Sequence, residues 1–147
     1  MSVWWFNMRK KILIIDDDYY SARLLAKRLR TKNYEVMLAA DGDQGLQKAK
    51  EILPDLILLD MLMPRLSGIE VFEILKQLDA TRQIPVIFMA AHPTLVIRKL
   101  VFDKGAKGLI TKPFFSNDFE FTIEKVINDY NIIETNHQHL KNREEKV

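Results

Sequence analysis

Four charged positions stand where apolar runs stop: Asp16 and Asp17 after KILII (11 to 15), Asp60 after Leu56, Ile57, Leu58 and Leu59, and Lys112 after GLIT (108 to 111). A carboxylate directly after an unbroken apolar run of strand length marks the point where a buried strand reaches the surface. In open α/β sheets that C-terminal edge is where ligands sit. Brought together, three carboxylates repel one another and hold protons tightly unless a cation lies among them. The chain has no Cys and no suitable His cluster, so oxygen ligands alone favour a hard ion, and an octahedral Mg²⁺ that keeps several waters fits best. Lys112 adds a point charge suited to a phosphoryl oxygen. Taken alone, Asp16, Asp17 and Asp18 read as a solvated helix cap; the buried strand before them, and Asp60 at the end of another, turn the reading towards a site.

The elements that must position these groups follow in regular alternation. KILII is a first strand, and Leu24, Leu25, Arg28 and Leu29 space a helix over 19 to 32, capped by Asp17 or Asp18. YEVMLA (34 to 39) is a second strand, Asp41 and Gly42 turn the chain, and Gly45, Leu46, Ala49 and Ile52 stripe a helix ended by Pro54. DLILLD forms the third strand. Beyond Pro64 and Gly68 a third helix runs from Ile69 to Leu78, and IPVIFMA (84 to 90) is a fourth strand with Pro85 tolerated near its start. A fourth helix over 94 to 104 closes at Gly105, GLIT is a fifth strand, and a last helix starts at about Ser116. This is an α/β chain of (βα)5 type, a three-layer sandwich around a five-stranded parallel sheet. In a flavodoxin-like strand order, 2-1-3-4-5, strands one and three are neighbours, so Asp16, Asp17 and Asp60 share one edge and Lys112 arrives from strand five.

With 147 residues, 48% hydrophobic and 29% charged, the chain has the size of one ordinary globular domain. The absence of Cys excludes a disulfide framework and is compatible with an intracellular setting. No apolar run approaches the roughly 20 residues that span a bilayer. A net charge of +2 argues for no nucleic-acid partner, and Arg23, Lys27 and Arg30 on one helical face read as a solvated face. Residues 1 to 9, with Trp4, Trp5 and Phe6, form an N-terminal extension; residues 10 to 130 form the domain; residues 131 to 147 form a polar C-terminal helical extension or linker. Across the last boundary Ile123, Val126, Tyr130, Ile133, His137, Leu140, Glu144 and Val147 fall at alternating spacings of three and four, an interrupted heptad.

Over roughly residues 10 to 130 the chain resembles the receiver domain of two-component response regulators. The resemblance rests on IIDDD (14 to 18), LLDMLMP (58 to 64) with Gly68, IPVIFMA (84 to 90) and GLITKPF (108 to 114), in that order and spacing. It implies that Asp60 accepts a phosphoryl group from a phosphohistidine of a sensor histidine kinase or a phosphotransfer protein. It further implies that Asp17 and Asp60 bind Mg²⁺ directly, Asp16 largely through water, and that the backbone carbonyl of Leu62 completes the protein ligands. Lys112 is the family's lysine, delivered by a loop that Pro113 fixes. The resemblance also implies a cytoplasmic signalling module that catalyses only its own phosphorylation and dephosphorylation, with helix four, strand five and helix five as an output or dimer face. The C-terminal helix is a second candidate for a homodimer. The chain is expected to be either a single-domain regulator or the receiver piece of a larger protein.

Two positions depart from the family pattern. At the end of strand four the usual Ser or Thr is Ala90, and in strand five the usual Tyr or Phe is Leu109. A methyl donates no hydrogen bond to a phosphoryl group, so the switch is atypical. The departures leave room for an alternative, a receiver-like interaction module that works without phosphorylation. A true phosphatase would want a second carboxylate two residues beyond its nucleophile, where this chain has Leu62. Met61 and Met63 are read as packing or lining a partner surface, His92 as an exposed loop residue, His137 and His139 as solvated, and at least one of Tyr19 and Tyr20 as a shield at the rim.

Overall fold

The computed structural model describes residues 8–114 and 118–144. Trp4, Trp5, Phe6, Ser116 and Val147, each singled out by the sequence, lie outside them. The strands are β1 (Lys11–Ile15), β2 (Glu35–Ala39), β3 (Leu56–Asp60), β4 (Val86–Ala90) and β5 (Gly108–Thr111). They alternate with helices α1 (Tyr19–Thr31), α2 (Gly42–Ile52), α3 (Gly68–Gln77), α4 (Leu95–Asp103) and α5 (Asp118–Glu144). All strand pairs are parallel, in the order β2-β1-β3-β4-β5.

The unbroken apolar runs have a direct cause. Successive side chains of a strand point to opposite faces, and here both faces are covered. Ile12, Ile14, Leu56, Leu58, Ile87, Met89 and Ile110 pack under α1 and α5. Leu13, Ile15, Ile57, Leu59, Val86 and Phe88 pack under α2, α3 and α4. Register then sets the site: Ile15 lies beside Leu59, Asp60 beside Met89, and Ala90 beside Thr111. The residues that follow these pairs leave the sheet at one edge.

Local chemistry fixes the helix starts close to that edge. Asp18 caps α1 by accepting from the Ser21 amide (3.3 Å), and Asp41 caps α2 by accepting from the Gln44 amide (2.8 Å). Ser67 and Glu70 form a reciprocal capping box on α3, and Thr94 caps α4 through the Ile97 amide (3.2 Å). Gly105 follows α4 with φ at +107°, a conformation that side chains rarely adopt.

Strand four begins at Val86, two residues later than the sequence indicates. Pro85 has no N–H to give to the ladder; its carbonyl still accepts from Ile57 (3.0 Å), so the chain runs alongside β3 before regular pairing begins. Helix α5 runs unbroken for 27 residues, about 40 Å. Val126 and Ile127 are buried on the sheet, whereas Ile133 and Leu140 face solvent.

Candidate functional site

The loop leaving β1 turns back on itself through Asp16. One Asp16 oxygen accepts from the Asp18 amide (2.9 Å), while the other receives the Lys112 ammonium at 2.6 Å. Asp16 is almost completely buried, Asp17 is exposed, and Asp60 closes β3 with little exposure. Carboxylate oxygens of Asp16, Asp17 and Asp60 lie within 4.8 Å of one another, and the Lys112 ammonium is 3.6 Å from the Asp60 carboxylate. Lys112 is held by its own amide, which donates to the Ala90 carbonyl (2.8 Å), and its bond to Pro113 is cis.

The electrostatics follow from this crowding. Burial, and then the Asp16 charge, push the Asp60 carboxyl up from 3.8 to about 7; Lys112 pulls it down, while bonds to Asp16 and Asp17 raise it further. Burial alone would lower the Lys112 ammonium, but the hydrogen bond to Asp16 and the charges of Asp16, Asp60 and Asp18 outweigh it and hold the group above the usual lysine value. Such a site is short of positive charge. An all-oxygen, mostly buried donor set with one exposed member and a strained proton balance fits a hard divalent cation that keeps solvent ligands.

Every charged residue that the sequence nominated therefore reaches the same edge. Leu62 lies in the loop two residues beyond Asp60 with its side chain outward, while Met61 is buried and Met63 packs on the core below α3. The Met61 carbonyl already accepts from the Gly68 amide (3.0 Å). Ala90 is buried at the end of β4, and Leu109 is half-buried and packs on the same cluster as Phe88, Ala90 and Val101. Tyr19 and Tyr20 are both exposed and stack edge to face; Tyr20 lines an open depression of about 610 Å³ on α1 with Arg23, Leu24, Lys27, Arg30 and Thr31. His92, His137 and His139 are exposed.

Gly68 carries a requirement that sequence spacing does not reveal. A Cβ there would sit 2.2 Å from the Asp60 carbonyl oxygen and 2.9 Å from the Met61 Cα, both backbone atoms. Helix α3 therefore starts against the residue that ends β3, and only a missing side chain allows it. Gly68→Ala is expected to cost about 2 kcal/mol in urea unfolding and to weaken Mg²⁺ binding by moving the Asp60 backbone. Parent-like values in both measurements would refute the requirement.

Comparison with known proteins agrees with this geometry. Residues 12–124 match the family model described as response regulator receiver domain. The alkaline phosphatase synthesis transcriptional regulatory protein PhoP of Bacillus subtilis is 34% identical over 120 residues, covering 82% of this chain and 49% of that protein. The DNA-binding response regulator MtrA of Mycobacterium tuberculosis is 36% identical over 108 residues, 74% of this chain and 46% of that protein. Among solved structures, chemotaxis protein CheY4 of Vibrio cholerae superposes with a TM-score of 0.73 at 25% identity, covering 84% of this chain and 99% of that one. The fold and site define a response-regulator module of two-component signalling: the chain belongs to the receiver domain family. It spans about half the length of the curated relatives it matches. No helix among the described residues is long and apolar enough to cross a membrane.

Proposed function

We propose that the chain is a phosphoacceptor receiver that takes a phosphoryl group from a phosphohistidine onto Asp60, in the cytoplasm, from a sensor histidine kinase or a phosphotransfer protein. The observation that carries this reading is the Asp60 carboxylate at a strand's end, with Asp16 and Asp17 in ligand reach and the Lys112 ammonium 3.6 Å away. An Asp60 oxygen attacks phosphorus as the bond from phosphorus to the imidazole nitrogen breaks; the product is an acyl phosphate, and the imidazole leaves. Asp17, Asp60 and the Leu62 carbonyl would hold Mg²⁺, with Asp16 acting mainly through water. When bound, the ion offsets charge on the phosphoryl oxygens. Lys112 keeps Asp16 paired and reaches towards the same oxygens from the other side. Water attack on phosphorus later breaks its bond to the Asp60 oxygen, releasing inorganic phosphate and regenerating the carboxylate, so the module limits its own signal without being a turnover enzyme.

Self-association has two candidate surfaces. One is the face of α4, β5 and α5, where Leu95, Val96, Leu100 and Phe102 of α4 and Phe121 of α5 are exposed; the other is the C-terminal part of α5, where Ile133 and Leu140 are exposed.

A second reading is favoured by the buried methyl of Ala90 and by Leu109, which together remove both usual parts of the switch. In it the domain binds a partner irrespective of phosphorylation. Titration with Mg²⁺ and then beryllofluoride, followed by amide NMR, separates the two. The phosphoacceptor reading expects saturable shifts at Asp17, Asp60 and Lys112; a spectrum unchanged by either ligand removes it and leaves the interaction module.

A further inference from the structure

Strand β5 ends at Thr111, so Lys112 is carried by a loop, and something must hold that loop at the right height. A side chain of α1 is suited to this. Arg28, in the third turn of α1, donates to the Phe114 carbonyl at 2.6 Å and reaches Glu120 of α5 at 3.4 Å. Its guanidinium lies 4.4 Å from the centre of the Phe119 ring, and that ring packs on Phe114 at 5.5 Å. The planar fork thus grips, at once, the residue two places beyond Lys112 and the first turn of the helix that follows. Helix α1, which carries Arg28, begins immediately beyond Asp16 and Asp17, with Asp18 as its cap. Arg28 therefore ties the carboxylate end of the site to its cationic end.

We infer that Arg28 is a positioning residue for phosphoryl transfer: by gripping Phe114, Phe119 and Glu120 it fixes where the loop presents Lys112 to Asp16 and Asp60. The inference rests on the phosphoacceptor reading above and adds to it a residue that touches neither metal nor phosphoryl group. Among the described neighbours, Lys32 also faces Glu120, at 4.0 Å, but no bond joins it to Phe114, so it serves as a control.

Arg28→Met keeps the aliphatic stem and removes the donors; Arg28→Lys keeps the charge without the fork. Labelling by acetyl phosphate at saturating Mg²⁺ and donor is the readout, beside calorimetric Mg²⁺ affinity and thermal unfolding. Arg28→Met should slow labelling about tenfold, as small displacements of a positioned group do. Its Mg²⁺ affinity should stay within about twofold, because the carboxylates are untouched. Arg28→Lys should recover part of the rate, Lys32→Met should label like the parent, and in a Lys112→Ala background Arg28→Met should add no further loss. Parent-like labelling of Arg28→Met, or an equal slowing with Lys112 already removed, overturns the inference while leaving the phosphoacceptor reading intact. An unlabelled parent overturns both. If Arg28→Met fails to fold, folded Arg28→Lys decides: slower labelling with unchanged Mg²⁺ affinity supports the role, and a parent rate overturns it.

Discussion

Asp60→Asn is expected to take up no phosphoryl group from acetyl phosphate and, without Mg²⁺, to be more stable than the parent protein at pH 8. The first half follows from chemistry. An amide oxygen is a poor nucleophile, and the other buried carboxylate of the cluster, Asp16, is already paired with the Lys112 ammonium at 2.6 Å. The label on the parent is expected to be released by hydroxylamine, as an acyl phosphate is; a label that persists in Asp60→Asn would mean another acceptor. The second half follows from linkage. The folded protein holds the Asp60 proton more tightly than the unfolded chain does, with the carboxyl raised from 3.8 to about 7, chiefly by burial. The stability this group contributes is therefore complete below the ordinary carboxylate value and is lost as the pH rises through about 7. At 1.36 kcal/mol per unit, the whole elevation would amount to about 4 kcal/mol. Asp16, Asp17 and Lys112 share the titration, so a net gain of about 2 kcal/mol, or some 6 °C in Tm, is the expected effect of removing the charge. The gap should close towards pH 4, where both proteins are neutral at this position, and saturating Mg²⁺ should narrow it at pH 8. A parent protein as stable as the variant at pH 8 without metal would refute the charge imbalance.

Much of this site is legible in the sequence because its causes are local. Each nominated carboxylate ends or directly follows a run that is apolar on both faces, and the helix caps Asp18, Asp41, Ser67 and Thr94 act within three residues of themselves. The parts that escape are distances between elements. Lys112 is legible as a cation at the edge, but not that it lies closer to Asp16 (2.6 Å) than to Asp60 (3.6 Å). Gly68 reads as a loop glycine until the Asp60 carbonyl is seen to occupy the space of its missing side chain. Arg28 falls on the apolar stripe of α1, and that was the available signal: a long cation on a buried face needs an acceptor. Only the fold shows the acceptor to be the loop beyond Lys112.

Ala90→Thr combined with Leu109→Phe is expected to extend the response to a filled site as far as α4. Ala90 is buried at the end of β4, next in line after Met89, which lies beside Asp60, and its carbonyl holds the Lys112 amide at 2.8 Å. A hydroxyl at that position would stand where a donor can meet a phosphoryl oxygen, and a hydrogen bond to a charged group is worth about 1.5 to 3 kcal/mol. In the present chain Ala90 offers no such donor, and Leu109, beside Phe88 and packed on the cluster that also holds Ala90 and Val101, has no ring to follow the loop inward. A ligand shifts a two-state equilibrium only by its differential affinity for the two states. Restoring one donor should therefore change the ratio of states tenfold or more, at about 1.4 kcal/mol per factor of ten. With Mg²⁺ and beryllofluoride, amide shifts in the parent should stay near Asp17, Asp60 and Lys112. In the double variant they should extend from Ala91 through α4 to Asp103. Shifts of equal reach in the parent would mean that filling the site is relayed without either group, through the main-chain link between Ala90 and Lys112, and the missing hydroxyl would then not limit the switch.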